Sequence, residues 1–378
     1  MSEPSNVLRP TVVVVGGGYG GIGVAKALDD IADVVLVEPK DAFVHNVAVL
    51  RALVQPDWLP RVFLPYDRLL SRGRVVRDRA VRVEAKRVTL GSGEEIAADY
   101  IVLATGSHYP YPAKSDVLEA DEASRHMMET HRALAAAGRV LLMGSGPVAL
   151  ELAGEILSVW PDKHVTITGT AKDILPGRYA PELRAELRRQ LTDRGVEFVL
   201  GTTLTADPAP APGVLETFTV ETLGGDQITA DVWFRCHGVA PVTGYLAEEL
   251  AGVRTPKGYL RVTSDLRLDG QHTVFAIGDI AAIDTDMAML ADMQAKVAAD
   301  NIRALITGEG EIWSYQPMPP GILLPLGPEG GAGQFAGQDG VVPAEVVAEF
   351  KGRAMFVDRY AEILGLSSPD ARQDEHGA

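Results

Sequence analysis

Hydrophobic positions along this chain switch between two periods, and the switch occurs more than once. Residues 11–15, "TVVVV", are β-branched throughout and read as a short strand buried on both faces. From Ile22 the apolar positions fall at helical spacing, Ile22, Ala25 and Leu28, so a helix follows the strand. The same succession returns at 139–156, "RVLLMGSGPVALELAGEI". Each half later reaches a small residue, an Asp, an apolar strand and a Gly-closed turn: "AADYIVLATGS" at 97–107 and "TADVWFRCHGV" at 229–239. One more strand, in "HTVFAIGDIAAI" (272–283), precedes a helical stretch from about Met287 to Ile306. Strands alternating with helices predict an α/β protein with two parallel-sheet units. Beyond Trp313 the chain turns rich in Pro and Gly, with short apolar runs that predict hairpins. The boundaries read as a first domain over 1–112 that resumes at 241–312, a second inserted at 113–240, and a small C-terminal α+β domain over 313–378. The last nine residues, "DARQDEHGA", are polar and expected to fray.

What fills the joints between strand and helix carries the chemistry. Gly16, Gly18 and Gly21 form a G-x-G-x-x-G, with Gly20 inside it; such a turn lets backbone approach a pyrophosphate at a helix N-terminus. The next strand ends at Glu38, about twenty residues on, where a carboxylate accepts hydrogen bonds from ribose hydroxyls and repels a 2′-phosphate. The second unit offers Gly144, Gly146 and Ala149 in the same places. Its following strand, "HVTITGT", ends near Gly169 with neither an acid nor an arginine, while Lys172 stands close by in sequence. Discrimination against a ribose 2′-phosphate is therefore expected to be modest in this unit. Gly278-Asp279 closes the late strand, and an Asp there can hold a sugar-alcohol hydroxyl beside the Thr105-Gly106 turn.

Composition narrows the partners. The chain has 35 basic against 51 acidic residues, a formal charge of −16, which argues against nucleic acid and against strong adhesion to anionic lipid. A single cysteine, Cys236, excludes an internal disulfide and Cys-x-x-Cys chemistry, and within its apolar strand it reads as a buried, inert thiol. The N-terminus lacks a basic-then-apolar pattern, Ser2 stands where myristoylation would need glycine, and no apolar run reaches a membrane span. The expectation is a cytoplasmic protein with at most peripheral membrane contact, no metal, and a homodimer left open.

Taken together, "GGGYGG", Glu38, "LATGS", "GSGPVALELAGE" and "FAIGD" resemble the two-dinucleotide-domain flavoprotein reductases of the glutathione-reductase fold. Within that group "KDAFVHNVAVLRA" (40–52), "VLATGSHYPYPAK" (102–114) and "LGPEGGAGQF" (326–335) look like the apoptosis-inducing-factor-like branch, more distantly the type II NADH dehydrogenases. The resemblance implies two Rossmann-like domains and two cofactors, FAD and NAD(P)H. It implies FAD on Gly16, Gly18, Gly20 and Gly21, with Glu38 at the adenosine ribose, Lys40, Val81, Thr105 and Gly106 nearby, and the ribityl chain near Gly278 and Asp279. NAD(P)H would lie on Gly144, Gly146 and Ala149, with Glu151 turned toward nicotinamide and flavin. His45 falls where disulfide reductases of this fold carry their redox cysteines; it is expected near the flavin, and reads either as a satisfied structural residue or as a catalytic residue assisting proton delivery. Met287, Met289 and Met293 are expected to pack helix against sheet.

Hydride would pass from NAD(P)H to flavin and on to an acceptor. A disulfide acceptor needs a relay thiol that the chain lacks. An acidic iron–sulfur partner such as ferredoxin or rubredoxin needs a basic face, and Arg184, Arg188, Arg189 and Arg194 share their helix with Glu182 and Glu186. A quinone needs only an apolar cleft, which Phe43–Leu53 and the Pro/Gly-rich segment could supply. The rival is a slow, NADH-sensing flavoprotein of the apoptosis-inducing-factor kind. The stretch 350–366 reads either as strand and helix packed on the first domain or as a greasy rim admitting a lipid-soluble acceptor.

Overall fold

The valine run has no polar side chain to offer water, and the structure, a computed structural model, places it at the centre of a sheet. The structure describes residues 9–284 and 287–367. Ser2 and the 370–378 tail lie outside the described residues. Five parallel strands form the first sheet in the order Val274–Ala276, Tyr100–Leu103, Thr11–Val15, Asp33–Val37, Arg74–Val76. Val13 sits in register with Val35 on one side and Ile101 on the other. Strand alternation splits the run between two cores. Val12 and Val14 pack with Ile22, Val24 and Leu28, whereas Val13 and Val15 pack with Val83, Val88 and Ile96 of an antiparallel three-stranded meander.

Six of the helices place the candidate residues: α1 (Tyr19–Leu28), α2 (Val49–Val54), α3 (Pro147–Val159), α4 (Pro181–Asp193), α5 (Ala288–Thr307) and α6 (Val357–Ile363). Helices α1 and α5 pack together through Ile22, Ala25, Ala295 and Ala299. The second sheet is also parallel, in the order Glu197–Leu200, His164–Gly169, Arg139–Met143, Val232–Arg235. Its strands lie in the chain between Tyr100–Leu103 and Val274–Ala276 of the first sheet. Helices α3 and α4 cover one face of it through Leu150, Ile156, Leu183 and Leu187.

After α5 the chain makes a hairpin, Ile322–Pro325 with Gly331–Gln334, then a π-helical turn, Ala348–Gly352, and α6. Leu324, Leu326, Met355 and Val357 join the core of α3 and α4, while Tyr360 and Leu364 join the core of α1. The segment 350–366 therefore straddles both units rather than lying on the first alone, and it contributes a π turn and a helix with no strand. Met289 and Met293 are exposed on α5, against the expectation of packing: at their turn of the helix the buried side is Leu290, Ala291 and Gln294. Among the described residues no helix is long and apolar enough to cross a membrane.

Candidate active site

The first loop is shaped for a flat, charged ligand. Gly16 holds φ +104°, where its N–H donates to Val37 O at 2.9 Å and a side chain would collide with the Ala104 carbonyl. Gly18 caps α1, and a Cβ there would meet nothing within 4 Å. Gly20 lies against Ile277, and at Gly21 a Cβ would overlap the Gly16 carbonyl oxygen, so helix and loop touch backbone to backbone. Glu38, at the end of the second strand, takes the Gly17 N–H on Oε2 at 2.7 Å and the Lys40 N–H on Oε1 at 3.0 Å. Lys40 donates from Nζ to Ser115 O at 2.5 Å, and burial lowers its pKa. Val81 is half exposed on the meander strand Ala80–Glu84. An uncapped helix start with an open glycine face, beside a carboxylate aimed by two backbone donors, fits FAD.

The Thr105-Gly106 turn and Asp279 lie together. Thr105 Oγ1 donates to Val242 O at 2.6 Å, and Gly106, at φ +64°, has open space where a side chain would stand. Ser107 Oγ donates to Asp279 Oδ2 at 2.6 Å. Gly278 donates its N–H to Gln294 Oε1 at 2.7 Å and turns the chain so that Asp279 faces Ser107. Lys114 Nζ completes the cluster, donating to Ser107 O and Oγ, each at 2.8 Å, and to Asp279 Oδ2 at 3.2 Å. Sequence reasoning missed Lys114, which sits in an aperiodic Pro-rich loop with no local signal.

The second loop repeats the plan. Gly144 holds φ +128° and donates to Thr168 O at 2.7 Å, and Gly146 caps α3 with open space at its Cβ position. Glu151, in the second turn of α3, accepts from Lys351 Nζ at 2.8 Å, and Lys351 also donates to Leu323 O at 3.2 Å. Both side chains are mostly buried. Lys351 therefore points inward and is no part of a surface rim. One turn further along α3, Glu155 pairs with Arg51 of α2. Burial raises the Glu155 pKa against the opposing pull of Arg51. Sequence reasoning missed Arg51, Glu155 and the role of Lys351. The available signal was charge within two otherwise apolar helices, Arg51 in "VLRALV" and both Glu151 and Glu155 in "PVALELAGEILSV".

His45 is wholly buried at the junction of the first unit and the C-terminal segment. Its Nε2–H donates to Met355 O at 2.6 Å, Nδ1 accepts from Tyr19 O–H at 3.1 Å, and the Tyr19 oxygen accepts Val47 N–H at 3.0 Å. Phe43, Tyr19 and Tyr360 surround the ring. Burial pulls its pKa down to about 4. A neutral ring with both nitrogens engaged carries no spare proton at neutral pH, so of the two readings open for His45 this geometry suits the structural one.

The acceptor side can be read by what is closed and what is open. Cys236 is sealed beneath the second sheet, where burial pushes its pKa up to about 12. Arg188 pairs with Asp173, Arg189 with Glu186 and Asp193, and Arg184 and Arg194 donate to backbone carbonyls, so α4 presents no free basic cluster. Phe350 is 57% exposed, Phe335 meets it edge to face at 6.4 Å, and Phe356 is also exposed. Met355 and Leu364, which the rim reading of 350–366 would have exposed, are buried.

Comparison with known proteins gives matches over most of the chain. The profile of the pyridine nucleotide-disulphide oxidoreductase family matches residues 10–301. The chain is 30% identical to ferroptosis suppressor protein 1 of Xenopus tropicalis, over 95% of this chain and 96% of that one. It is 28% identical to apoptosis-inducing factor homolog B of Dictyostelium discoideum, over 96% and 98% of the two chains. Among solved structures, the sulfide:quinone oxidoreductase of Aquifex aeolicus superposes with a TM-score of 0.75 at 17% identity, over 97% of this chain and 94% of that one, a likeness of fold.

Proposed function

The chain belongs to the pyridine nucleotide-disulphide oxidoreductase family and is an FAD-dependent NAD(P)H oxidoreductase; on that premise we propose that its electrons go to a quinone-like small molecule. The observation that carries the proposal is the C-terminal segment, which sets an inward-facing Lys351 on Glu151 next in the chain to Phe350, an exposed ring that meets Phe335 edge to face. A charged pair with an apolar, aromatic lip on the same segment suits a flat apolar ring that bears carbonyl oxygens. The sealed Cys236 supports the same reading, since a disulfide acceptor needs an accessible thiol. The fold neighbour from Aquifex aeolicus is, by name, an enzyme that acts on a quinone.

When bound, FAD supplies the two-electron chemistry, accepting hydride from NAD(P)H and releasing the electrons to the acceptor. The chain supplies position and protons. Glu38 would hold the ribose hydroxyls of the flavin nucleotide, and Asp279, aimed by Ser107 and Lys114, would hold the ribityl hydroxyls. The α3 N-terminus at Gly146 would bind the NAD(P)H pyrophosphate. Glu151 fixes the Lys351 ammonium, and Lys351 Nζ is the atom that can donate a hydrogen bond or a proton to an acceptor oxygen. His45 braces Met355 and so the backbone that carries the aromatic lip. The contact with any membrane is peripheral and made through this lip.

Steady-state turnover with NAD(P)H and a panel of acceptors tests this directly. Short-chain quinones should outpace ferredoxin and disulfides, and Phe335→Ser/Phe350→Ser should raise KM about tenfold for a long-tailed quinone while sparing a short one. Ferredoxin reduction faster than every quinone would overturn the assignment.

A further inference from the structure

Arg51 and Glu155 are the two most deeply sealed charges that the proposed chemistry does not use. Each is 1% exposed. Arg51 donates Nε and Nη2 to the two Glu155 oxygens at 2.5 and 2.7 Å, and the same Nη2 donates to Gly352 O at 2.9 Å. One guanidinium thus ties α2 of the first unit, α3 of the second and the C-terminal π turn. An apolar pair of similar volume would serve packing as well or better. It would not hold a carbonyl oxygen in place.

That carbonyl belongs to the residue after Lys351. Gly352 is pressed from its other side too, because a Cβ there would stand 2.7 Å from Pro328 O. The turn is therefore gripped between the hairpin loop and the guanidinium. From this turn Lys351 reaches Glu151, and Glu151 stands one helical turn before Glu155 on α3. Both members of the Lys351–Glu151 pair are mounted on backbone that the buried pair fixes. π turns recur at functional sites because they aim a side chain that a regular helix would carry elsewhere.

We propose that Arg51 and Glu155 are positioning residues that hold Lys351 on Glu151 across the junction of the three parts of the molecule. The inference rests on the reading of Lys351–Glu151 as part of the electron-transfer site.

The test uses the flavin-loaded full chain and four variants: Lys351→Met, Arg51→Lys, Glu155→Gln and the apolar double variant Arg51→Met/Glu155→Leu. Thermal unfolding, flavin midpoint potential, kcat and KM for NAD(P)H are measured with a short-chain quinone. Lys351→Met should shift the potential and lower kcat, and Arg51→Lys and Glu155→Gln should shift it the same way with kcat down about 10²-fold and KM nearly unchanged. The apolar double variant should regain wild-type thermal stability yet keep the shifted potential and low kcat. Adding Lys351→Met to it should cost nothing more. If the double variant restores potential and kcat along with stability, the pair serves packing only and the inference is overturned. Silence of the Arg51 and Glu155 variants alone also overturns it, leaving the site reading intact. Silence of Lys351→Met ends both.

Discussion

The two glycine loops share a backbone and differ in what surrounds it. Gly16 and Gly144 both hold a φ above +100°, and Gly18 and Gly146 both cap a helix where a side chain would meet open space. At the third position they part. A Cβ on Gly21 would overlap the Gly16 carbonyl, whereas Ala149 carries its Cβ fully buried in the same place. The strand ends differ as well: Glu38 is fixed by two backbone donors, while the second unit has Gly169 beside Ser145. After the middle glycine, the first unit has Tyr19, braced by His45, and the second has Pro147, which starts its helix alone. A tight, braced loop with a carboxylate suits a nucleotide that stays bound. A looser loop without an acid suits one that exchanges at every turnover.

The difference in loop closeness should produce the largest effect. Gly21→Ala forces helix α1 off its loop and should cost at least about 3 kcal/mol with loss of FAD. The converse change, Ala149→Gly, should cost only about 1 kcal/mol of helix propensity and leave FAD in place. Thermal unfolding with flavin absorbance measures both. Equal tolerance at the two positions would erase the distinction.

The brace is tested by pH. His45 has a native pKa of about 4 against an ordinary 6.5, so the unfolded state binds the proton first as pH falls. Its stabilising contribution is full above pH 6.5 and is lost progressively down to about pH 4, about 3 kcal/mol in all. Denaturant unfolding at pH 7 and pH 4 should show this much less loss in His45→Gln than in the native chain. Parallel pH curves for the two would show that the ring is not held neutral. Turnover at pH 7 should fall only a few-fold in the same variant, the result expected of a scaffold.

Ribose recognition comes next in size. Glu38→Ala removes a charge-assisted acceptor and should weaken FAD by about 1.5–3 kcal/mol, measured by flavin release on dialysis. The matching prediction for the second unit is weaker discrimination. Neither Gly169 nor its neighbours place an acid at that strand end, so NADH and NADPH should differ by less than about a hundredfold in kcat/KM. A larger preference for NADH would mean that another loop supplies the missing carboxylate.

Much of this was legible in the chain because the signals are local. The glycine spacing, Glu38 at a strand end and Asp279 after Gly278 each occupy a few residues, and backbone geometry follows from them. Lys351 was not legible as a site residue, because its partner Glu151 is 200 residues away and only tertiary packing brings them together. Arg51 and Glu155 are separated by 104 residues, and a charge in an apolar helix signals burial without naming its partner. His45 was left open between two readings for a related reason: its hydrogen bond to Met355 spans 310 residues, and no local pattern shows it.

On the proposed route, electrons enter at the second loop, cross to the flavin held by the first, and leave to a quinone. Anaerobic rapid mixing of the yellow protein with one equivalent of NAD(P)H, then with a short-chain quinone, follows each transfer through flavin absorbance. The first mix should bleach the flavin and the second should return its full colour, at rates no slower than steady-state turnover. Bleaching that no quinone reverses, while ferredoxin or a disulfide restores the colour, would contradict the proposed route.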